Sequence, residues 1–64
     1  MKFAKLTAKR MLKESGAKRV SESAAAELAA EANRVAYRIA KRAVKLCAHA
    51  KRETVQKSDI ELAK

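Results

Sequence analysis

The sequence predicts an all-α protein in which a short helix, a long central helix and a second short helix follow one another. Two observations support this fold class. The chain contains no proline and a single glycine, Gly16, so few residues interrupt a helix. Residues 21–50 are rich in alanine and in unbranched side chains, which have the lowest free-energy cost in a helix. A helix of that length extends about 45 Å, at about 1.5 Å per residue.

The ends of the helices follow from a few local signals. We expect the first helix at about residues 4–15, followed by Gly16, at the position where a residue in the left-handed conformation ends a helix. Ser21 is expected to cap the central helix, residues 21–50, because its hydroxyl can accept a hydrogen bond from a free N–H of the first turn. The last helix is expected at about residues 57–63. The chain, residues 1–64, then forms one domain.

The central helix is apolar over most of its circumference. Its apolar residues recur at spacings of three and four and form two stripes, which two short helices cannot cover. A chain of this size rarely has a sufficient core of its own, and its single cysteine, Cys47, allows no disulfide within the chain. We therefore expect a twofold homodimer in which the long helices cross.

The charge of the chain points to one class of partner. It has 16 Lys and Arg residues against 7 Asp and Glu residues, a net charge of +9, which is typical of nucleic-acid-binding domains. No segment is apolar enough to span a membrane. With one histidine and one cysteine, we expect no metal site, and the sequence has no cofactor motif and no nucleophile–base pair. We therefore expect neither an enzyme nor a small-molecule substrate.

Two parts of the chain resemble archaeal-type histones. Residues 16–21 (Gly-Ala-Lys-Arg-Val-Ser) resemble the first loop of these proteins. Residues 44–55 and 58–63 resemble the end of their second helix, their second loop and their third helix, with the signature Arg52-x-Thr54 followed by Asp59-Ile60. The resemblance covers about residues 5–63 without a gap. It implies a minimal, tail-less prokaryotic histone fold that forms a handshake homodimer.

The same resemblance implies a function and a set of site residues. The protein would bind double-stranded DNA with little sequence preference, in the cytoplasm on the nucleoid, and would bend, wrap or compact the chromosome. Arg10 and Arg19 would enter the minor groove, with Thr54 holding the Arg19 of the other chain. Arg52 and Asp59 would form a structural salt bridge between the second loop and the third helix. The full set of implied DNA-binding residues is Lys9, Arg10, Lys13, Lys18, Arg19, Lys51 and Thr54.

Assembly beyond the dimer and the choice of partner have alternatives. Dimers would meet in a four-helix bundle, with His49 hydrogen-bonded to Asp59 across the interface, and would extend into a filament. The short third helix and the basic second helix suggest an alternative, which is a face-to-face tetramer. A different function also stays open, in which the histone fold heterodimerises within a transcription or regulatory complex. The residues of the implied dimer–dimer interface are Leu46, His49, Asp59 and Leu62.

The sequence departs from the family pattern in the second loop and on the central helix. Lys51 stands where many members have glycine, and Glu53 stands where lysine is common. The central helix also carries a basic stripe, which is a solvated face, a DNA contact or the support for a different stacking of dimers. The stripe consists of Arg34, Arg38, Lys41, Arg42 and Lys45.

Overall fold

Three helices account for most of the chain in the computed structural model, which describes residues 3–64. Helix α1 is Lys5–Glu14, α2 is Glu22–His49 and α3 is Lys57–Ala63, and residues 3–64 contain no β-strand. The all-α class and the order short, long, short are therefore confirmed. The chain forms two compact units, Met1–Arg34 and Val35–Lys64, and α2 contributes residues to both.

In the first unit, α1 ends in a glycine turn. The N–H of Gly16 donates to the carbonyl of Lys13 at 3.1 Å, and the N–H of Ala17 donates to the carbonyl of Leu12 at 3.1 Å. These two bonds define the Schellman motif, in which the residue after the helix adopts a positive φ. Gly16 has a φ of 113°, which L-residues with a side chain rarely adopt. The role predicted for Gly16 is confirmed.

Ser21 caps the start of α2. Its Oγ accepts a hydrogen bond from the backbone N–H of Ala24 at 3.1 Å, and its carbonyl accepts one from the N–H of Ala25 at 3.1 Å. Glu22 follows in the first turn, where a negative charge interacts favourably with the helix dipole. The predicted cap is therefore confirmed.

Polar contacts join α1 to the first part of α2. Glu22 receives two lysines from α1, with Lys5 Nζ at 3.0 Å and Lys9 Nζ at 3.5 Å from its carboxylate oxygens. Just before α1, the backbone N–H of Phe3 donates to Asn33 Oδ1 at 2.6 Å. These contacts hold α1, and the residue before its N-cap, against residues 22–33 of α2.

In the second unit, α2 also ends in a Schellman motif, but with lysine in the glycine position. The N–H of Lys51 donates to the carbonyl of Ala48 at 2.9 Å, and the N–H of Arg52 donates to the carbonyl of Cys47 at 3.1 Å. Lys51 has a φ of 57°, in the left-handed region. Residues other than glycine are disfavoured there because Cβ approaches the following carbonyl oxygen. The departure from glycine noted in the sequence therefore has a backbone cost.

Burial within the chain involves small side chains. The large apolar side chains stay accessible to solvent, among them Leu6 at 67% and Leu62 at 73% exposure. The apolar stripes of α2 are covered only in part, because Ala36, Ala40 and Val44 are exposed. The buried apolar residues are Ala8, Ala25, Ala29, Ala43, Cys47 and Ala63. The uncovered apolar surface of α2 is the surface that the homodimer hypothesis assigns to the other chain.

Candidate nucleic-acid interface

An ion pair organises the second loop, which connects α2 to α3. Arg52 Nη2 donates to Asp59 Oδ1 at 2.7 Å and Arg52 Nη1 donates to Asp59 Oδ2 at 2.9 Å, in a bidentate arrangement. Parallel N–H···O bonds of this kind fix the relative orientation of the two groups. Arg52 and Asp59, which the histone resemblance pairs, therefore lie in direct contact and connect the loop to α3.

Asp59 is almost fully buried, at 2% exposure. Its carboxylate stays ionised because both of its oxygens accept hydrogen bonds. Besides the Arg52 guanidinium, the backbone N–H of Gln56 donates to Asp59 Oδ2 at 2.8 Å. The hydrogen bonds from Arg52 and then from Gln56 lower the pKa of Asp59 to about 2. A buried carboxylate would otherwise resist ionisation, since burial disfavours the charged form. At neutral pH this anchor of the loop is a permanent ion pair.

Arg52 also fixes the backbone of the loop. Its Nη1 donates to the carbonyl of Thr54 at 3.1 Å, and its own carbonyl accepts the S–H of Cys47 at 3.2 Å. The side chains of Lys51 and Thr54, both exposed, are the predicted DNA-binding residues of this loop. The geometry thus separates two roles. The guanidinium group of Arg52 forms its hydrogen bonds within the chain, whereas the side chains of Lys51 and Thr54 are accessible to a ligand.

The first loop has a comparable arrangement in the other unit. It lies between the glycine turn at Gly16 and the cap at Ser21, so both of its ends are held by backbone or cap hydrogen bonds. Lys18 and Arg19 between them are exposed, and neither forms an ion pair with any residue from 3 to 64. Two cations without a carboxylate partner are therefore presented on a short, fixed loop.

The cations of α1 divide into two kinds. Arg10 and Lys13 are exposed and have no carboxylate partner in the described chain, and together they line a shallow recess on the surface of α1. Lys9 lines the same recess but contacts Glu22. The pKa of Glu22 is lowered by its hydrogen bond to Lys5 and further by the charge of Lys9. Of the three α1 residues predicted to bind DNA, Lys9 is thus partly neutralised within the chain.

The residues of the implied dimer–dimer interface all belong to the second unit. Leu46 is half-buried, whereas His49 and Leu62 are exposed. Asp59 differs from them, because it is buried and both of its oxygens already accept hydrogen bonds within the chain. The role of this set in assembly stays a prediction.

Gln56 or Ser58 was expected to begin the last helix, but two contacts at the site were not predicted from the sequence. Gln56 is the N-cap of α3, and Asp59 at the third helical position accepts from its backbone N–H, which is half of a capping box. The spacing of three residues between Gln56 and Asp59 was the available signal. The pairing of Glu22 with Lys5 and Lys9 joins residues far apart in sequence and has no local signal.

Comparison with known proteins identifies relatives over most of the chain. Residues 1–63 match the family described as "Histone-like transcription factor (CBF/NF-Y) and archaeal histone". The chain is 44% identical over 54 residues to "Probable archaeal histone 3" of Methanocaldococcus jannaschii, a match that covers 84% of this chain and 81% of that protein. It is 41% identical over 54 residues, with the same coverage, to one of the subunits of archaeal histone HAN1 from Thermococcus zilligii.

These matches confirm the predicted histone resemblance and, with the three-helix architecture, the histone fold. No helix within residues 3–64 is both long enough and apolar enough to cross a membrane. The chain belongs to the family of histone-like transcription factors (CBF/NF-Y) and archaeal histones.

Proposed function

We propose that this chain is a histone that binds the backbone of double-stranded DNA as a homodimer, with little sequence preference. The observation that carries the proposal is a set of exposed cations on α1 and the two loops that have no ion-pair partner within residues 3–64. Membership of the histone family supports the same activity. The cations are Arg10, Lys13, Lys18, Arg19 and Lys51.

Such cations bind DNA mainly by replacing the counterions that surround its phosphates. Each neutralised phosphate releases condensed counterions, and this gain is independent of base sequence. An arginine can also enter the minor groove, where the negative potential is strong, without reading base edges. We assign that role to Arg10 and Arg19, with Thr54 beside the Arg19 of the other chain. Lys9, Lys13, Lys18 and Lys51 would contact phosphates, Lys9 more weakly because Glu22 competes for it.

The homodimer is supported by the apolar surface that a single chain exposes. The apolar residues buried within the chain are alanines and one cysteine, whereas Leu6 and Val44 are largely accessible. Burial of apolar area is the main favourable term in folding, at about 25 cal/mol per Å². A second chain that covers these side chains would supply this term. A dimer would carry a formal charge of +18, twice the +9 of one chain.

On DNA, we propose that dimers assemble further and compact the chromosome. Leu46, His49 and Leu62 are accessible at least in part and would form the contact between dimers. In that contact Asp59 would mainly hold the second loop, because Arg52 and Gln56 already occupy its oxygens. A hydrogen bond from His49 of another dimer would have to reach a carboxylate that is 2% exposed. We therefore assign the contact chiefly to the two leucines and His49.

Replacement of Arg19 by alanine tests the DNA-binding proposal. Affinity would be measured by fluorescence anisotropy on two duplexes of unrelated sequence at about 0.1 M salt. We expect the affinity for both duplexes to fall by about eight-fold for each phosphate that is no longer neutralised. At about 0.1 M salt, ten-fold below the 1 M reference, each neutralised phosphate adds about 0.9 logarithmic units to the binding constant. Arg34→Ala is the matched control, because Arg34 is exposed but already paired with Glu31. A loss of affinity for only one of the two duplexes would contradict backbone binding.

A second candidate function is that of one component in a hetero-oligomeric histone-fold complex. The word "subunit" in the name of the Thermococcus zilligii relative, and the transcription factors in the family description, favour it. Sedimentation of the purified chain separates the two candidates. The homodimer predicts a helical particle of two 7.0 kDa chains, whereas an obligate hetero-oligomer predicts an unfolded monomer that folds only with its partner.

A further inference from the structure

Four cations form one exposed patch on the second half of α2. They are Arg38, Lys41, Arg42 and Lys45, named here the α2 basic patch. Their spacing of i, i+3, i+4 and i+7 places them within an arc of about 100° and within about 10.5 Å along the helix axis. The buried residues Ala43 and Cys47 lie on the opposite side of the helix. The patch therefore points away from the buried side of its own unit.

No carboxylate neutralises this patch within the part of the chain that the structure describes. The sequence has no Asp or Glu between Glu31 and Glu53. None of the four cations forms an ion pair with residues 3–64, whereas Arg34, one turn earlier on the helix, pairs with Glu31. Like charges three or four residues apart destabilise a helix. An anionic partner that relieves this repulsion is therefore favoured at the patch.

The shape and composition of the patch favour an extended polyanion over other partners. The surface of a helix is convex, whereas small ligands bind in concave pockets. None of the apolar side chains of residues 35–49 lies within the arc of the patch. Binding to a membrane surface or to another protein relies on apolar anchor residues, which the patch lacks. Duplex DNA carries about one phosphate charge per 1.7 Å of its axis, counted over both strands, so about six phosphates lie around a length of duplex equal to the patch, and those on the near side face it.

We propose that the α2 basic patch binds the phosphate backbone of a second DNA duplex, so that one histone dimer holds two duplexes together. The proposal rests on the proposed function, because the first duplex is held by the cations of α1 and the two loops. A twofold dimer carries two copies of the patch. Bridging between distant DNA segments is then a property of the dimer itself and does not require contacts between dimers.

A two-duplex capture assay tests this proposal with the full chain. One duplex is immobilised, the protein is added, and capture of a second, fluorescent duplex is measured as a function of salt. The patch variant is Arg38→Gln with Lys41→Gln. The control is Arg34→Gln with Lys57→Gln, which removes the same charge from two helix cations that have carboxylate partners. Affinity for a single duplex is measured in parallel for all three proteins.

For each copy of the patch that contacts the second duplex, we expect the patch variant to capture that duplex about 60-fold more weakly at about 0.1 M salt. Each copy then neutralises two fewer phosphates, at about 0.9 logarithmic units each. The single-duplex affinity of the patch variant should equal that of the control variant. Its thermal melting should be unchanged or slightly higher, because like-charge repulsion on α2 is removed. A lower capture therefore cannot be attributed to unfolding.

Three outcomes would overturn the inference or its basis. If the unmodified protein binds one duplex but captures no second duplex, the patch does not bridge DNA. If capture is retained in the patch variant, the second duplex is held elsewhere or through contacts between dimers. If the unmodified protein binds no duplex at all, the proposed function itself is wrong. The single-duplex measurement distinguishes the last outcome from the first.

Discussion

Replacing Lys51 by glycine should stabilise the fold and weaken DNA binding at the same time. Lys51 has a φ of 57° at the end of α2, and an L-residue in the left-handed conformation costs about 1–2 kcal/mol. Glycine removes that cost but loses about 0.5–1 kcal/mol more conformational entropy on folding. The difference predicts a gain of about 0.5–1 kcal/mol in the free energy of unfolding per chain. The same change removes a cation that we assign to a phosphate contact.

Two variants separate the backbone effect from the charge effect. Lys51→Gly removes both the strain and the charge, whereas Lys51→Ala removes the charge and keeps a Cβ in the left-handed conformation. Urea unfolding should show a higher midpoint for the glycine variant than for the alanine variant. Both variants should bind DNA about eight-fold more weakly at about 0.1 M salt for each phosphate that Lys51 neutralises.

Two results would refute this reasoning. If Lys51→Gly is no more stable than Lys51→Ala, the left-handed conformation of this residue carries no cost or is not adopted in solution. If both variants bind DNA as tightly as the unmodified chain, Lys51 does not contact phosphate, and its presence in place of glycine needs another explanation. We expect instead that the lysine lowers stability at the backbone and contributes affinity for DNA.

Two further predictions concern the turn after α1 and the anchor of the second loop. Gly16→Ala should lower the free energy of unfolding by about 1–2 kcal/mol, because alanine is strained at a φ of 113°; an unchanged urea midpoint would contradict the turn geometry. The pKa of Asp59 is lowered to about 2 in the folded chain, against a value near 3.8 in the unfolded chain. The contribution of its charge to the free energy of unfolding is therefore complete above about pH 3.8 and is lost as the pH falls towards about 2. Asp59→Asn should therefore be less stable at neutral pH and should lose less stability than the unmodified chain between about pH 4 and pH 2; parallel pH profiles in thermal melts would contradict this assignment.

Helix ends were predictable because their signals are local. A lone glycine after an amphipathic segment and a serine before an alanine-rich one act on backbone groups within four residues. Gly16 and Ser21 therefore appear in the structure in the roles that the sequence indicates. The histone resemblance could likewise be stated from short segments, because the two loops, the end of α2 and α3 carry an unusual combination of residue types.

Other features depend on contacts that one sequence does not encode locally. The pairing of Lys9 with Glu22 joins two helices, so no spacing rule predicts that this cation has a carboxylate partner within the chain. The left-handed conformation of Lys51 contradicts the preference of its residue type, and only the resemblance marks the position. Val44 lies on a stripe expected to be covered and is exposed within the chain, and we propose that the other chain of the dimer covers it.

The salt dependence of DNA affinity tests the central proposal most directly. The dimer would present ten exposed cations without ion-pair partners in the described chain, five from each protomer: Arg10, Lys13, Lys18, Arg19 and Lys51. If about half to all of them neutralise phosphates, a plot of log K against log salt has a slope between about −4.5 and −9, at about −0.9 per phosphate. We expect the same slope for two duplexes of unrelated sequence. A slope smaller in magnitude than about −2, or a clear difference between the two duplexes, would contradict binding through the DNA backbone.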